Sequence, residues 1–566
     1  MAGNGSHMNY LRWLQFLVIS LTAATVLGIL PLPALRVPGQ SYLIVLSPSD
    51  LLFYGAVLSV LTVYWLKSRE FTHVFVATLS FLLIYFSFWQ VHSVNSQFMG
   101  SAWNYASLVL LLTHEGHFPA LVSGQPGSFI ELSFIYDVTG TSIGFTFKLF
   151  ELWRILIISI LIFLVAFKLV KDQRSASLIT MLTASSAVYL IRLPDSPFSP
   201  NGFSDILFFA LVLVLLDYAL YGKQQGIIIL LVMIVADTVT YLGTSMVTIA
   251  IILTGFVIWK RKPRIASDYM NYNKSMTSLF LFSLIAFFAF YGLQQINLLY
   301  VFQNWLGQFI HSVVNTTTSY HFHYFNQRLF EYIGSQPTFL AGVVVFWLTF
   351  VYAVGFIVWT RTLLKKPSPF IKAGIGVLMF AVALFTLQGG SEEARALAYI
   401  PIIFTPPLVV FLGKIRKNIV PALAILAIIL TVPTAVAYYP AIGFNTAYDS
   451  NIAAGGFIAK AVCTPELFSE AGVVLFNYTL FENTYSMTGN NLLFNNNGTG
   501  YIALNYNNFL EMGTCHLFNP SFELLQTFEY AYGNNVYAQM SSAVLQILNR
   551  NSVIYSNGYN WIVAPK

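Results

Sequence analysis

Apolar runs, each long enough to approach the width of a lipid bilayer and divided by short polar breaks, fill the chain from about position 10 to about position 438. A bilayer's hydrocarbon core is about 30 Å thick and takes roughly 20 residues of helix to cross. That rule predicts spans near 10–33, 48–66, 71–94, 150–170, 176–193, 204–221, 226–243, 246–260, 274–295, 339–361, 370–388, 398–413 and 419–438. There are about thirteen of these, and the short seventh and eighth read as broken helices. Three longer polar segments interrupt or follow the runs: a loop at 95–149, a loop at 296–338 and a tail from 441 to 566. In the first loop, Trp103 to Leu112 is amphipathic enough to lie along a membrane surface, and Gln125-Pro126-Gly127 starts a further apolar helix.

The tail has a different pattern. Asn, Tyr, Gly and Ser rise, and the apolar runs shorten to strand length at Gly472–Phe476, Tyr501–Leu504, Ser552–Tyr555 and Asn560–Val563. Asn557-Gly558 between the last two is a hairpin signal, because Asn-Gly adopts the positive φ angles of a two-residue turn. Ala453–Val462 and Ser521–Leu548 read as helical. The predicted fold class is therefore mostly α, a polytopic transmembrane helix bundle over 9–440 followed by a small α/β domain over 441–566. Residues 1–8, Met-Ala-Gly-Asn-Gly-Ser-His-Met, read as an expression tag remnant. No short apolar region with a small-residue cleavage site follows them, so the first run reads as an anchor.

Composition agrees with a membrane protein. Hydrophobic residues make up 57% of the chain and charged residues 9%, where a soluble domain carries roughly 25% charge; mean hydropathy is +0.69. The formal net charge of +6 reflects where the Lys and Arg residues lie. Lys67/Arg69, Lys168/Lys171/Arg174, Lys223, Lys260/Arg261/Lys262/Arg264, Arg361/Lys365/Lys366 and Lys414/Arg416/Lys417 fall at every second junction of the expected spans. Basic residues collect on the cytoplasmic side, so one orientation satisfies all six clusters, with the N-terminus cytoplasmic and the tail extracytoplasmic in the plasma membrane. No basic run is interleaved with aromatics, which argues against nucleic acid as a partner.

The candidate chemistry lies in the outward segments. The first loop carries His114, Glu115, His117, Glu131 and Asp137, and the second carries His311, His321 and His323. His114, His117, His321 and His323 offer imidazoles to a divalent metal; they serve equally as interfacial histidines meeting headgroups. Asp237 falls within a span, where a buried acid is costly enough to suggest function, and it serves equally in a polar break between half-helices. Arg154 and Arg395 stand near the outward ends of helices, where a planar guanidinium suits phosphate oxygens and serves equally as a headgroup anchor. Cys463 and Cys515, the two cysteines, both fall in the exported tail and are expected to pair as a disulfide. Three sequons, at Asn315, Asn477 and Asn497, lie in outward segments, as glycosylation requires.

The layout of the first loop resembles that of GT-C glycosyltransferases of the archaeal type, polytopic enzymes that draw on lipid-phosphate-linked sugars. Gly116-His-Phe-Pro119 is similar to the family's Gly-x-(Tyr/Phe)-Pro turn. Pro126-Gly127, the apolar helix after it and Thr139-Gly140 resemble its next pattern, followed by Phe150-Glu-Leu-Trp-Arg154. The short loop Pro194 to Phe203, the Tyr241-Leu-Gly-Thr-Ser245 break, Arg395 and the ending Ile554-Tyr-Ser-Asn-Gly-Tyr-Asn-Trp561 are similar as well. The resemblance implies a transferase that moves a sugar from a polyprenyl- or dolichyl-phosphate donor to a glycan, lipid or protein acceptor outside the membrane. It implies an acid near the start of the first loop as base or metal ligand. Ser101 stands at that position, and no Asp or Glu occurs from Val91 to Thr113. Another carboxylate, Glu115, Glu131, Asp137 or Asp195, then has to activate the acceptor, with Arg154 or Arg395 on the phosphate and Ser101, His117, Asp237 and His321 lining the pocket. The alternative is a non-catalytic relative with a surface-assembly or binding role, which the missing acid favours. A transporter is a more distant third, given the long outward loops and exported tail.

The topology has a direct test. Single cysteines introduced at Tyr320 and Tyr530 should react with a membrane-impermeant maleimide on intact cells, and one at Pro263 should not. Reaction at position 263 would invert or break the arrangement.

Overall fold

The computed structural model describes residues 3–29, 48–95, 109, 112–113, 127–140, 143–186, 200–221, 225–257, 266–293, 338–365, 368–387, 399–416, 418–431, 433–434, 467–469, 484–486, 501–505, 552–556 and 560–564. The helices are α1 (Gly3–Ile29), α2 (Pro48–Lys67), α3 (Phe71–Asn95), α4 (Gly127–Thr139), α5 (Ile143–Val170), α6 (Gln173–Ala184) and α7 (Pro200–Tyr221). They continue with α8 (Gln225–Thr240), α9 (Leu242–Ile252), α10 (Ala266–Leu293), α11 (Thr338–Trp347), α12 (Gly355–Lys365), α13 (Pro369–Leu387), α14 (Ile400–Ile415) and α15 (Ile419–Ile429). π-helical turns at Leu253–Val257 and Leu348–Val354 extend α9 and join α11 to α12.

Each expected span meets a helix, and α4 is the extra helix expected after Gln125-Pro126-Gly127. Two ends differ. The sixth span was expected to reach residue 193, but α6 stops at Ala184, where the Ser185 amide closes on Met181 O and the Ser186 hydroxyl donates to Thr183 O at 2.8 Å. The thirteenth was expected to reach 438; α15 gives way to a turn at Leu430, and helical backbone returns at Thr431, Pro433 and Thr434, where the Thr434 amide donates to Leu430 O at 2.8 Å.

The bundle has an apolar interior and an apolar exterior. Leu14, Tyr64, Trp65, Phe81, Tyr85, Phe163, Leu182, Phe208, Trp347 and Val409 are among the buried core residues. Trp13, Phe16, Leu27, Leu52, Ile228, Val232, Ile285, Leu364 and Met379 stand exposed around it. Water does not tolerate so much contiguous apolar surface on a monomer, whereas acyl chains do. Two stretches of the described residues, Tyr10–Gly28 and Val345–Lys365, are long and apolar enough to cross a membrane, and nine shorter apolar helices of 10–17 residues accompany them. Small residues allow close helix approach, as in membrane bundles generally: a Cβ on Gly376 of α13 would lie 2.5 Å from the Ala250 carbonyl oxygen of α9.

The two ends of the bundle differ in charge. At one end, Lys168 of α5 pairs with Asp217 of α7. Arg361 of α12 lies over the ring of Phe411 in α14, 5.3 Å from its centroid. Arg174 donates to Ser68 O at 2.8 and 3.1 Å and to Leu66 O at 2.7 Å, capping the C-terminal carbonyls of α2, and it lies 5.5 Å from the Trp65 ring centroid. Lys171 takes a left-handed conformation, φ 59°, where the chain turns from α5 into α6. The opposite end holds acids and hydroxyls.

In the tail, β1 (Leu467–Ser469), β2 (Thr484–Ser486), β3 (Tyr501–Asn505), β4 (Ser552–Ser556) and β5 (Asn560–Ala564) form one sheet of order β2-β1-β3-β5-β4. The β2-β1-β3 pairs are parallel, and β3-β5 and β4-β5 antiparallel. β4 and β5 pair antiparallel as the expected hairpin requires, with Ser556 opposite Trp561 and a register shift between Val553 and Tyr555; Asn557-Gly558 lies outside the described residues. Of the expected strands, β3, β4 and β5 fall where the pattern put them; Gly472–Phe476 lies outside the described residues, as do both expected tail helices.

Arg174 gives this subsection its test. Lysine in its place keeps the charge and loses the fork that reaches two carbonyls while stacking on Trp65. Arg174→Lys should lower stability by about 1–2 kcal/mol, the scale of one or two lost hydrogen bonds. Thermal unfolding in detergent measures it.

Candidate functional site

The site begins with a break. α8 ends at Thr240, and Tyr241 is extended (φ −158°, ψ 129°) before α9 starts at Leu242. The Thr248 hydroxyl donates to Asp237 Oδ2 at 3.0 Å. In an unbroken helix, residues eleven apart lie about 16 Å apart along the axis. The chain therefore doubles back at Tyr241, and α8 and α9 lie side by side. Thr238 Oγ1 and Ser245 Oγ, 3.2 Å apart, close the same reversal. From α10, Tyr291 donates to Thr238 O at 2.9 Å.

Asp237 is held in the crook of this reversal, 1% exposed. A second acid is close enough to interact with it electrostatically, Asp205 in the second turn of α7. Asp205 is 6% exposed, and its Oδ1 accepts from the Tyr399 hydroxyl at the N-cap of α14 at 3.0 Å. The Tyr399 ring lies 4.6 Å, centroid to centroid, from Phe208, one turn further along α7. Below that pair an apolar cavity opens between α7, α9, α13 and α14, lined by Phe208, Val212, Ile251, Phe370, Ile402 and Ile403 among others.

α4 is seated on the reversal. A Cβ on Gly127 would lie 2.6 Å from Thr240 Oγ1 and 2.9 Å from Thr240 Cα, so only glycine lets the first turn of α4 come this close. α4 packs against α5, α7 and α8. Its inner side carries Phe129, Leu132 and Ser133, and the Ser133 hydroxyl donates to Val109 O at 3.3 Å. Glu131 is half-buried; its Oε2 is fully enclosed and has no hydrogen-bond partner among the described residues. Burial pushes its carboxyl from an ordinary 4.5 up to about 8, because an enclosed carboxylate loses its hydration.

Arg154 completes the group and is 0% exposed. α4 and α5 pack against each other, and the chain leaves α4 at Gly140, φ +59°. Glu131 stands in the second turn of α4 and Arg154 in the fourth turn of α5. Both helices also pack against α7, the helix of Asp205.

Of the expected site residues, Arg154 and Asp237 are buried. Asp137 is exposed near the end of α4, six residues and about 240° round the helix from Glu131. Ser101, His114, Glu115, His117, Asp195, His321, His323 and Arg395 lie outside the described residues. So do Cys463, Cys515, Asn315, Asn477 and Asn497. Among the described residues, no three or more His, Cys, Asp or Glu side chains gather into a group able to hold a metal. Asp205 and Tyr399 were not anticipated, although an aspartate just inside an apolar run was as visible at 205 as at 237.

No protein-family model and no curated protein matches the chain. Among solved structures, it is similar to the oligosaccharyltransferase of Archaeoglobus fulgidus in its apo form, with 14% identity, 89% of this chain and 75% of that chain covered, and a TM-score of 0.49. For that enzyme with an inhibitory peptide and a dolichol-phosphate, the values are 12%, 89%, 75% and 0.46. For its complex with Zn and sulfate they are 11%, 82%, 69% and 0.45. At such identity no residue role is carried across.

Glu131 gives a pH test. The folded chain keeps the Glu131 proton between 4.5 and about 8, where the unfolded chain has released it. Its contribution therefore favours folding most below 4.5 and declines as pH rises toward 8. Glu131→Gln should stabilise the protein relative to the wild type at pH 8–9 and leave it nearly unchanged at pH 4. Unfolding midpoints across that range check it; a constant difference would place the carboxyl in water.

Proposed function

We propose that the chain is a membrane glycosyltransferase that takes a sugar from a polyprenyl- or dolichyl-phosphate donor at the extracytoplasmic boundary of the membrane. The observation that carries this reading is the fully buried Arg154 on a helix packed against the one bearing the enclosed Glu131, both helices packed also against the one that bears Asp205. A lipid-phosphate donor keeps its tail in hydrocarbon and its phosphate at headgroup level. A planar guanidinium suits that phosphate.

The step needs one base and one cation. The Glu131 carboxylate takes the proton from the acceptor hydroxyl as its oxygen bonds to the sugar's anomeric carbon. The bond from that carbon to the phosphate oxygen breaks, the electron pair stays on the phosphate, and Arg154 offsets the charge that develops there. Of the two candidate acids among the described residues, Glu131 is taken as the base because it is enclosed while Asp137 is exposed. The acceptor is a glycan, a lipid or a protein. A divalent metal, if used, falls to His114, His117, His321 and His323, which stay in this reading as its candidate ligands. The orientation, with the tail and both long loops extracytoplasmic, follows from the basic clusters and places the Arg154 end outside.

A second reading has its own observation. With Ser101 where the family carries an acid and no Asp or Glu from 91 to 113, the chain also fits a non-catalytic relative with an assembly or binding role.

Reconstitution in liposomes with polyprenyl-phosphate sugars and extracted surface glycans, lipids and peptides as acceptors separates the two. Transfer should rise with pH up to about 8, as Glu131 ionises. Glu131→Gln should lower kcat by about 100-fold or more and remove that rise. Arg154→Lys, which keeps a cation in the buried position, should lower kcat by a smaller factor. Donor binding without transfer in the wild type supports the non-catalytic reading. A Glu131→Gln protein at wild-type rate moves the base elsewhere.

A further inference from the structure

The reversal at Tyr241 contains a buried acid that the proposed transfer step does not use. Asp237 accepts from Thr248 through one oxygen; Oδ1, equally enclosed, has no hydrogen-bond partner among the described residues. The hydroxyls that surround the reversal are already committed. Thr238 donates to Ile234 O at 2.7 Å, Thr240 to Ala236 O at 2.7 Å, Thr244 to Tyr241 O at 3.2 Å and Tyr291 to Thr238 O at 2.9 Å. A hydroxyl that has given its proton to a carbonyl keeps its lone pairs for something positive. Among the described residues, no positive charge acts on Asp237.

We propose that the crook of the α8–α9 reversal binds a sodium ion, with Asp237 Oδ1 as its charged ligand. Three features favour that occupant. The groups placed here are all oxygens, from the Asp237 carboxylate, the Thr244 and Thr248 hydroxyls beside it and the carbonyl end of α8. Hard oxygen ligands suit alkali and alkaline-earth ions. The C-terminus of a helix carries the negative end of its dipole, and Asp205 adds a second negative charge nearby, so a cation is drawn in from two directions. Discontinuous helices in membranes hold Na+ with this combination of freed carbonyls and half-helix C-termini.

Charge and size narrow the choice. Calcium takes six to eight oxygens and magnesium a near-ideal octahedron, usually with several carboxylates or waters. Here two carboxylates stand near the reversal, and no larger acidic or histidine group exists among the described residues. Asp237 Oδ1 is fully enclosed, so an ion that joins it must be small. That favours Na+ over the larger K+. Because α4 rests on Thr240, occupancy of the crook would also steady the helix that presents Glu131. The site stands whether or not the chain transfers sugar.

Thermal unfolding of the purified full-length protein in detergent tests it, with NaCl exchanged for KCl or choline chloride at constant ionic strength and pH. In the wild type the midpoint should rise saturably with Na+, less with K+ and not with choline. Asp237→Asn should unfold at a midpoint that Na+ does not move, and Thr248→Ala should need about 10-fold more Na+ for half the effect, the scale of one lost ligand at about 1.4 kcal/mol per decade. Retention of 22Na+ by the wild type, and its loss in Asp237→Asn, gives a readout independent of stability; should Asp237→Asn not fold, Thr248→Ala carries both measurements. A midpoint indifferent to the choice of Na+ or choline overturns the proposal. So does one that follows pH alone, which would put a proton on Asp237, or an Asp237→Asn protein that responds as the wild type does.

Discussion

Every polar group turned inward in this bundle has to find its partner inside the protein, because the helices face hydrocarbon and no solvent is there to make up a deficit. That constraint organises the packing. Trp65 donates its indole N–H to Ser177 at 2.9 Å, and the same Ser177 hydroxyl lies 2.6 Å from Thr78, so α2, α3 and α6 are tied at one buried point. Thr183 and Thr405, 3.0 Å apart, join α6 to α14. Trp347 reaches Thr434 at 3.0 Å, and Trp359 reaches the Ile371 carbonyl at 3.0 Å. Most other buried Ser and Thr hydroxyls bond back to the carbonyl four residues earlier, as Thr180 does to Ala176 O and Ser283 to Leu279 O. Thr22 and Thr360 each enclose a hydroxyl oxygen with no partner among the described residues, but among the described acids the enclosed oxygens of Glu131 and Asp237 are the exceptions, places where stability has been given up.

Both exceptions sit where helices stop. Ending a helix in an apolar bundle frees carbonyls and amides that must be met by side chains. α8 ends at Tyr241 with hydroxyls gathered round it, α14 begins at Tyr399 with a phenol on Asp205, and α4 begins at a glycine pressed onto Thr240. The basic end solves the same problem differently, with Arg174 spread over the last carbonyls of α2. Arginines there are exposed or half-buried and can reach headgroups with their tips. Arg154 is far from that end and fully enclosed, so headgroup anchoring does not account for it.

The helices were legible because hydrophobic length is a direct physical requirement of crossing a bilayer. Their ends were less so: α6 stops where the Ser185 amide and the Ser186 hydroxyl close its last carbonyls, and α15 is interrupted by a turn at Leu430, both local effects inside a continuous apolar run. The last three strands were legible from alternation and the Asn-Gly turn, whereas β1 and β2 are three residues each, too short to show a period. The two parallel pairings, β1 with β2 and β1 with β3, need crossover connections that leave no local signal. In the site, Arg154 and Asp237 were legible as charges in apolar surroundings. The choice between Glu131 and Asp137 was not, because an apolar helix flanked by loops does not say which side meets the bundle. Asp205 was as visible as Asp237, an acid inside an apolar run, but its pairing with Tyr399 spans 194 residues and has no local signal.

The arrangement of charge in the site follows from the cost of burying it. An isolated buried carboxylate or guanidinium is expensive, and a protein lowers that cost with a counter-charge, hydrogen bonds or neutralisation by a proton. Arg154 cannot lose its proton, so it must be met by negative charge or acceptors. Glu131 takes the other route and holds its proton up to about pH 8. Burial alone accounts for the raised Glu131 carboxyl, so its proton follows from the enclosure of the site and not from a neighbouring charge. In the proposed transfer, phosphate charge arriving nearby opposes ionisation of Glu131 further. In that same reading, a phosphate whose charge is met by Arg154 opposes it less, which ties binding of the donor to activation of the acceptor.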